Sequence, residues 1–148
     1  MRWKVKAMNT RLLWLLTLLL LAAGTFAEAQ QPKKIPLIGY LSISSSSANA
    51  HRIEAFRQGL RDVGYIEGKN IVIEWRFAEG NADRRPGPGL VTELVRLKVD
   101  VIVTSGSGAT RPAKEATTTI PIVMTQDNDP VGNGFVASLA RPGGNVTG

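Results

Sequence analysis

The amino-acid sequence predicts an α/β domain built on a parallel β-sheet. From Leu37 onward, apolar runs of strand length alternate with segments of helical periodicity, and strands joined through helices form right-handed crossovers and parallel pairs. A leader of 29 residues leaves 119 of the 148, which suits one small domain. The chain has no cysteine, so disulfides are excluded and an ordinary hydrophobic core must hold it together.

The leader, residues 1–29, has the parts of a secretory signal peptide in order. Segment 2–11 is basic without an acidic residue, and Leu12–Ala23 is an apolar run of twelve residues, short of the roughly 20 that span a bilayer. Small residues at 27 and 29 predict cleavage after Ala29, which makes Gln30 the new N-terminus of a periplasmic protein. The alternative is an uncleaved anchor helix. A lipid-modified leader is disfavoured because it needs a cysteine.

The charge left after cleavage is modest. Four of the 18 Lys and Arg residues and one of the 12 acidic residues lie in the leader, so 14 basic and 11 acidic residues remain, a net charge near +3. A nucleic-acid partner needs basic residues clustered on one face, so we expect none.

The first half of the domain reads as strand, helix, strand. Leu37–Leu41 is almost wholly apolar, as expected of a strand covered on both faces, and a polar loop follows it to Asn49, which could cap the next helix. In that helix, which Gly64 stops, apolar residues recur at spacings of three and four: Ile53, Phe56, Leu60 and Val63. Ile71–Phe77 alternates with a period of two, which predicts a strand with one wetter face.

The second half repeats this pattern. A loop over Ala78–Pro88 leads to a helix whose inward face is Leu90, Leu94 and Leu97, followed by a strand at Val101–Thr104.

The last predicted elements are shorter. The sequence predicts a helix over Ala113–Thr118 and a strand over Ile120–Met124, with Pro121 tolerable near its start. Phe135–Leu139 is a short helix at best, and Arg141–Gly148 is rich in turns.

Three polar loops follow three of the predicted strands. Ligands of an open parallel sheet bind at the carboxyl ends of its strands, where helix N-termini offer free N–H groups. The loops contain Ser44, Ser45 and Ser46, then Ser105, Gly106, Ser107 and Gly108, and finally Asp127 and Asp129. Hydroxyl and N–H groups suit a carboxylate, and either aspartate suits an ammonium group, so together they suit a zwitterion such as an amino acid. The alternative is that these residues are ordinary loop formers.

Signals for catalysis are weak. The single histidine, His51, lies beside Arg52 and Glu54 in the first turn of a predicted helix, which favours a solvated surface residue. No metal-ligand cluster is visible in the sequence, and neither a dinucleotide fingerprint nor a phosphate loop is present. We therefore expect no catalytic residue, no metal and no cofactor.

Several blocks, taken in order, resemble one known family. The sequence is similar over residues 36–148 to the substrate-binding proteins of ABC transporters, a family that includes tryptophan- and tyrosine-type receptors. The blocks that carry the resemblance are Ile38–Ser42, Phe56–Arg61, Gly64–Tyr65, Glu67–Asn70, Leu97–Val103, Ile120–Val123, Asp129–Gly132 and Ser138–Gly148.

The resemblance implies a type I periplasmic-binding-protein fold, in which two Rossmann-like lobes close on a ligand. Residues 30–148 correspond to the first lobe; the second is missing from this sequence, so we expect a fragment of a longer protein. Residues 85–89, with two prolines and two glycines, depart from the family and should delay the following helix to about Gly89. Carried over by position, the ligand contacts fall on the first serine loop, on Ser105–Gly108 and on the loop of Asp129.

The implied function is the solute-binding component of an importer, with a small polar ligand and an ABC permease of the inner membrane as partners. Two alternatives remain: the ligand-sensing domain of a transcription regulator that shares the fold, and a truncated product without function. The leader and the absence of a helix-turn-helix segment before Ile35 disfavour the regulator.

Overall fold

A computed structural model describes residues 34–79 and 88–148, and the predicted leader lies outside these residues. Within them the strands are β1 (Leu37–Ser42), β2 (Val72–Phe77), β3 (Val101–Ser105), β4 (Ile122–Thr125) and β5 (Val146–Thr147), and the helices are α1 (Ala50–Asp62), α2 (Pro88–Arg96) and α3 (Ser107–Ala116). All pairs are parallel, in the order β2-β1-β3-β4-β5. The predicted parallel α/β sheet is confirmed.

The sheet is covered on both faces, and each face has its own apolar cluster. On one face, α2 and α3 pack through Leu94 and Ala113 against Leu41 and Ile102, which are fully buried. On the other face, α1 packs through Phe56 and Leu60 against the apolar side chains of β1, β2 and β3. Burial on both faces explains why the central strands are continuous apolar runs in the sequence.

An aromatic group lies under α1. The Tyr40 ring is 4.9 Å from the ring of Trp75 and 5.7 Å from that of Phe56, and Trp75 stacks on Phe77 with an interplanar angle of 6°. These rings fill the space between α1 and the edge strand β2, which gives that edge an aromatic core.

Two elements begin two or more residues away from their predicted starts. The third helix begins at Ser107, not Ala113, directly after Gly106 turns the chain with a φ of 83°; Pro112 lies inside this helix. Strand β4 begins at Ile122, not Ile120, because Pro121 has no N–H for the ladder. The second helix begins at Pro88, close to the delayed start that the sequence predicted.

Two apolar residues assigned to inward helix faces are exposed instead. Val63 lies past the end of α1 and is 69% exposed, and Leu97 lies past the end of α2 and is 44% exposed. Each residue directly follows the last residue of its helix, so the predicted apolar helix faces extended beyond the true helix ends.

The chain after β4 is turn rather than helix. Phe135–Leu139 forms no helix, although Phe135 and Val136 are buried in the core. The segment predicted to be turn-rich contains β5, which extends the sheet beside β4. The Asn145 amide donates to the carbonyls of Thr117 and Ile120 (3.0 and 2.8 Å), which holds β5 in place.

In the part of the chain that the structure describes, no helix is both long and apolar enough to cross a membrane.

Candidate functional site

The carboxyl ends of three neighbouring strands bring the three polar loops side by side. β1 pairs with β3, and Ser42 lies opposite Ser105 in that register. β3 pairs in turn with β4, where Ser105 lies opposite Thr125. The loops that follow these strands therefore leave the same edge of the sheet, which is the usual position of a ligand site in this class of fold.

The first serine loop is ordered by its own hydrogen bonds. Ser42, almost fully buried, accepts bonds from the Ser44 N–H and from the Asn49 amide, both at 3.2 Å. The Asn49 amide also donates to the Ser45 carbonyl, so this side chain stabilises the loop and does not cap α1 as the sequence suggested. Ser45 Oγ accepts the Ala48 N–H, which makes Ser45 a loop-forming residue as well. Ser44 is half-buried and Ser46 exposed at the same edge.

The second loop runs straight into a helix. The N–H of Gly106 donates to the Thr125 carbonyl (2.9 Å), which fixes the loop to β4. Ser107 and Gly108 form the first turn of α3 and are exposed. The first N–H groups of a helix have no acceptor within it, and the helix dipole gives this end a partial positive charge. This turn is therefore suited to an anionic group such as a carboxylate.

Two buried hydroxyls support the second loop from below. Thr104 Oγ1 and Thr110 Oγ1 lie 2.8 Å apart, both fully buried, and Thr110 Oγ1 also donates to the Gly106 carbonyl. The pair joins the end of β3 to α3, so the position of Gly106 is fixed by the core.

The first two loops touch through a residue that the sequence reasoning missed. A Cβ built on Gly108 would lie 3.0 Å from Cδ1 of Ile43, so the Ile43 side chain lies directly over the start of α3. Ile43 is 42% exposed, an apolar side chain in the middle of polar loops. The only sequence signal for it was its position between Ser42 and Ser44.

The third loop holds the two aspartates in different ways. Ser105 Oγ donates to Gln126 Oε1 at 3.3 Å, which connects this loop to the end of β3. Asp127 Oδ1 accepts the Asn133 amide and the Asp129 N–H (3.0 and 3.1 Å), and Asp129 Oδ1 accepts the Gly132 N–H at 2.8 Å. Asp129, the residue that the sequence assigned to ligand binding, is exposed at this loop.

The far end of the third loop is held by α3. Lys114 Nζ donates to the carbonyls of Gly134 and Phe135 (2.5 and 3.4 Å), and the Arg111 guanidinium lies 5.2 Å from the centre of the Phe135 ring. One helix thus starts at the second loop and anchors the third.

Two surface cavities lie away from these loops. One, of about 340 Å³, is lined by Thr92 and Val95 of α2 and by Pro112 and Glu115 of α3. The other, of about 230 Å³, is lined by Arg57 and Tyr65 among others, beyond the far end of α1. We place the candidate site at the strand ends nonetheless, because ligands of an open parallel sheet bind at the carboxyl ends of its strands.

A charged group beside the second cavity has a structural role. Glu67 accepts hydrogen bonds from Arg57 Nε (2.6 Å) and Trp75 Nε1 (2.8 Å), and the Arg57 guanidinium lies 4.9 Å from the Trp75 ring centre. Burial alone would raise the pKa of Glu67, but the two hydrogen bonds and the charge of Arg57 outweigh it and lower the pKa below its ordinary value. The group joins α1 to β2.

Catalytic or metal-binding groups are scarce at the site. His51 is exposed in the first turn of α1, and among residues 34–79 and 88–148 no three His, Asp or Glu side chains come together as a metal site would require.

Comparison with known proteins identifies the family. The model of the family "ABC transporter substrate binding protein" matches residues 34–148, and the chain belongs to this family. A relative, the tyrosine-binding protein of Clostridioides difficile (strain R20291), is 38% identical over 95 residues, which cover 64% of this chain and 27% of the relative.

Solved structures share the fold. A conserved domain protein from Vibrio cholerae O1 biovar El Tor is 33% identical with a TM-score of 0.70, and the match covers 78% of this chain and 38% of that one. A Streptococcus pneumoniae ABC domain in complex with L-Trp is 28% identical, again with a TM-score of 0.70 and the same coverage. A ligand-free, open substrate-binding protein with adhesive properties from Clostridium difficile gives a TM-score of 0.68 at 28% identity, covering 76% of this chain and 37% of that one.

These matches confirm the predicted fold class, a Rossmann-like parallel sheet flanked by helices, as in periplasmic-binding-protein domains. The chain spans between about a quarter and two fifths of the length of the relatives that it matches.

Proposed function

We propose that residues 30–148 form the ligand-binding first lobe of an exported substrate-binding protein that captures an amino acid for an ABC permease of the inner membrane. The observation that carries the proposal is the alignment of three polar loops at the carboxyl ends of β1, β3 and β4. Family membership supports it, and so do two relatives, one named for tyrosine and one solved with L-Trp. Export rests on the leader over residues 1–29.

The chemistry of the loops matches a zwitterion. The first turn of α3, with Ser107 and Gly108, offers N–H groups and a partial positive charge to the ligand carboxylate. Ser44 and Ser46 offer hydroxyls at the same edge, whereas the Ser105 hydroxyl is buried and bonded to Gln126. The third loop offers a carboxylate to the ligand ammonium. None of these groups forms a nucleophile–base pair, so the proposed protein binds and releases its ligand unchanged.

One lobe supplies only half of such a site. Receptors of this class bury most of the ligand when two lobes close on it. If each lobe contributed about half of a micromolar affinity near 8 kcal/mol, one lobe would retain about 4 kcal/mol, which corresponds to a millimolar dissociation constant. We therefore expect this chain alone to bind its ligand weakly.

The test is an NMR titration of this chain alone, ¹⁵N-labelled residues 30–148, with each common amino acid up to tens of millimolar. We expect shift changes at residues 43–46, 105–108 and 126–134 for one or a few amino acids, with millimolar dissociation constants. Sugars at the same concentrations are the control ligands. If no amino acid shifts these loops, amino-acid binding is excluded for this lobe; a dissociation constant below about 10 µM would contradict the two-lobe mechanism.

A further inference from the structure

Asp127 and Asp129 lie two residues apart in the third loop, yet only one of them has an oxygen in need of a partner. Asp127 Oδ1 accepts two hydrogen bonds, from the Asn133 amide and the Asp129 N–H. Its other oxygen, Oδ2, is buried and has no hydrogen-bond partner, which sets it apart from the other buried side-chain oxygens and nitrogens of the described residues.

The Asp129 carboxylate is committed to the loop itself. Oδ1 accepts the Gly132 N–H at 2.8 Å. The carboxylate lies so close to Gly132 that a Cβ at position 132 would clash with Cγ, Oδ1 and Oδ2 of Asp129. Asp129 is therefore a turn-forming residue that fixes the path of the chain from Asp129 to Gly132, a common use of aspartate in loops.

A buried carboxylate oxygen without a donor is costly. Buried polar atoms in folded proteins nearly always have a partner, and an unmade bond to a charged group costs more than one to a neutral group. Asp127 is held in place through Oδ1, so Oδ2 cannot turn to a new protein donor without breaking two bonds. No donor of the described residues reaches Oδ2, so this oxygen can accept a hydrogen bond from a ligand or a water molecule.

We propose that Asp127, and not Asp129, is the residue of this lobe that binds the ligand ammonium group, through Oδ2. This inference rests on the proposed function, because it requires a ligand with an ammonium group. Asp127 lies in the right place for this: the adjacent Gln126 is bonded to Ser105, at the edge where α3 begins. An ammonium group here and a carboxylate at the first turn of α3 place the two charges of a zwitterion on neighbouring loops.

Because Oδ2 is closed off from solvent in this conformation, the ligand reaches it only if the loop moves. The far end of the loop is fixed by Lys114 at Gly134. The movement therefore involves the residues before that point, and Gln126 and Asn128, on either side of Asp127, are exposed.

The experiment compares L-tryptophan with indole-3-propionate, which lacks only the ammonium group, on the product of the full gene. Three versions are titrated by NMR: wild type, Asp127→Asn and Asp129→Asn. Both asparagines keep an Oδ1 acceptor for the loop bonds, so each removes the charge and little else. We expect wild type and Asp129→Asn to prefer L-tryptophan by about ten- to hundredfold, and Asp127→Asn to bind both compounds equally.

A measurement on wild type alone removes dependence on the folding of the variants. The ¹³C signal of the Asp127 carboxyl carbon should shift with L-tryptophan and not with indole-3-propionate. A preference retained in Asp127→Asn, or lost in Asp129→Asn instead, overturns the assignment to Asp127. A liganded structure in which an ordered water, rather than the ligand, donates to Oδ2 overturns it as well. If wild type binds neither L-tryptophan nor any other amino acid, the proposed function fails, and the inference with it. This outcome is distinguishable from a failure of the inference alone, because the wild-type titration shows it before any variant is compared.

Discussion

Gly39 of β1 lies so close to Leu94 of α2 that a Cβ at position 39 would be 2.9 Å from both Leu94 methyl carbons. Leu94 is fully buried among other core residues, so a shift of its side chain would disturb their packing. The absence of a side chain at position 39 is what allows α2 to approach β1, an interior strand of the sheet.

Substitution at this contact should therefore destabilise the fold. We expect Gly39→Ala to lower the free energy of unfolding by about 1–3 kcal/mol through overpacking, as measured by urea denaturation. Gly59→Ala is the matched control, since Gly59 is exposed in α1 and no atom lies within 4 Å of the place that a Cβ would occupy there. That change should raise stability by about 0.5–1 kcal/mol. Equal effects of the two changes would contradict the close contact.

The buried hydroxyl pair beneath Gly106 gives a second prediction. Thr110→Val should cost about 1–3 kcal/mol of unfolding free energy, because it leaves the Thr104 hydroxyl buried without its partner. The double change to valine at positions 104 and 110 should cost less than the sum of the two single changes. Chemical denaturation of wild type, the two single variants and the double variant completes this double-mutant cycle. Strictly additive changes in unfolding free energy would show that the two hydroxyls do not interact.

Acid stability should depend on Glu67. Its pKa is lower in the folded protein than its ordinary value of 4.5, so the ionised form favours folding. The resulting stability is present above the unfolded pKa and is lost as the pH falls through the folded pKa. We expect Glu67→Gln to reduce the loss of unfolding free energy between pH 6 and pH 3, measured in urea at each pH. An unchanged slope would mean that Arg57 and Trp75 do not stabilise the carboxylate. Glu54→Gln, at an exposed pair with Arg61, is the control and should change the slope less.

The leader makes a prediction that requires no structure. Expression of the full gene in a bacterium should give a periplasmic protein that starts at Gln30, as read by N-terminal mass spectrometry. Recovery of a chain that still starts at Met1, in the membrane fraction, would support the uncleaved anchor instead. Ala29→Leu should block cleavage, because signal peptidase reads a small residue at that position.

The sheet and its faces could be predicted from the sequence because burial on two sides leaves a strong signal. Leu37–Leu41 and Val101–Thr104 are apolar runs since α1 covers one face of the sheet and α2 and α3 cover the other. Strand β5 left no such signal. Val146 and Thr147 are too few to show a period, and they form a strand only because β4 offers a partner.

The side-by-side arrangement of the three polar loops was predictable, and the hydrogen bonds within them were not. Parallel strands place their following loops at one edge, so three polar loops could be assigned together. The sequence could not separate Asp127 from Asp129, because both are aspartates of one loop, and only hydrogen-bond geometry shows that Asp129 is committed to Gly132. The same limit hid Ile43, whose contact with Gly108 depends on the pairing of β1 with β3.

The aromatic group under α1 has a spectroscopic consequence. Trp75 is the one tryptophan after the leader, since the other two of the three are Trp3 and Trp14. Its indole is held between Phe77 of the sheet, the Glu67 carboxylate and the Arg57 guanidinium of α1. Within residues 30–148, tryptophan emission therefore comes from a single side chain at the junction of α1 and β2. A red shift of that emission would report the departure of α1 from the sheet, separately from the far-ultraviolet dichroism that reports the helices as a whole.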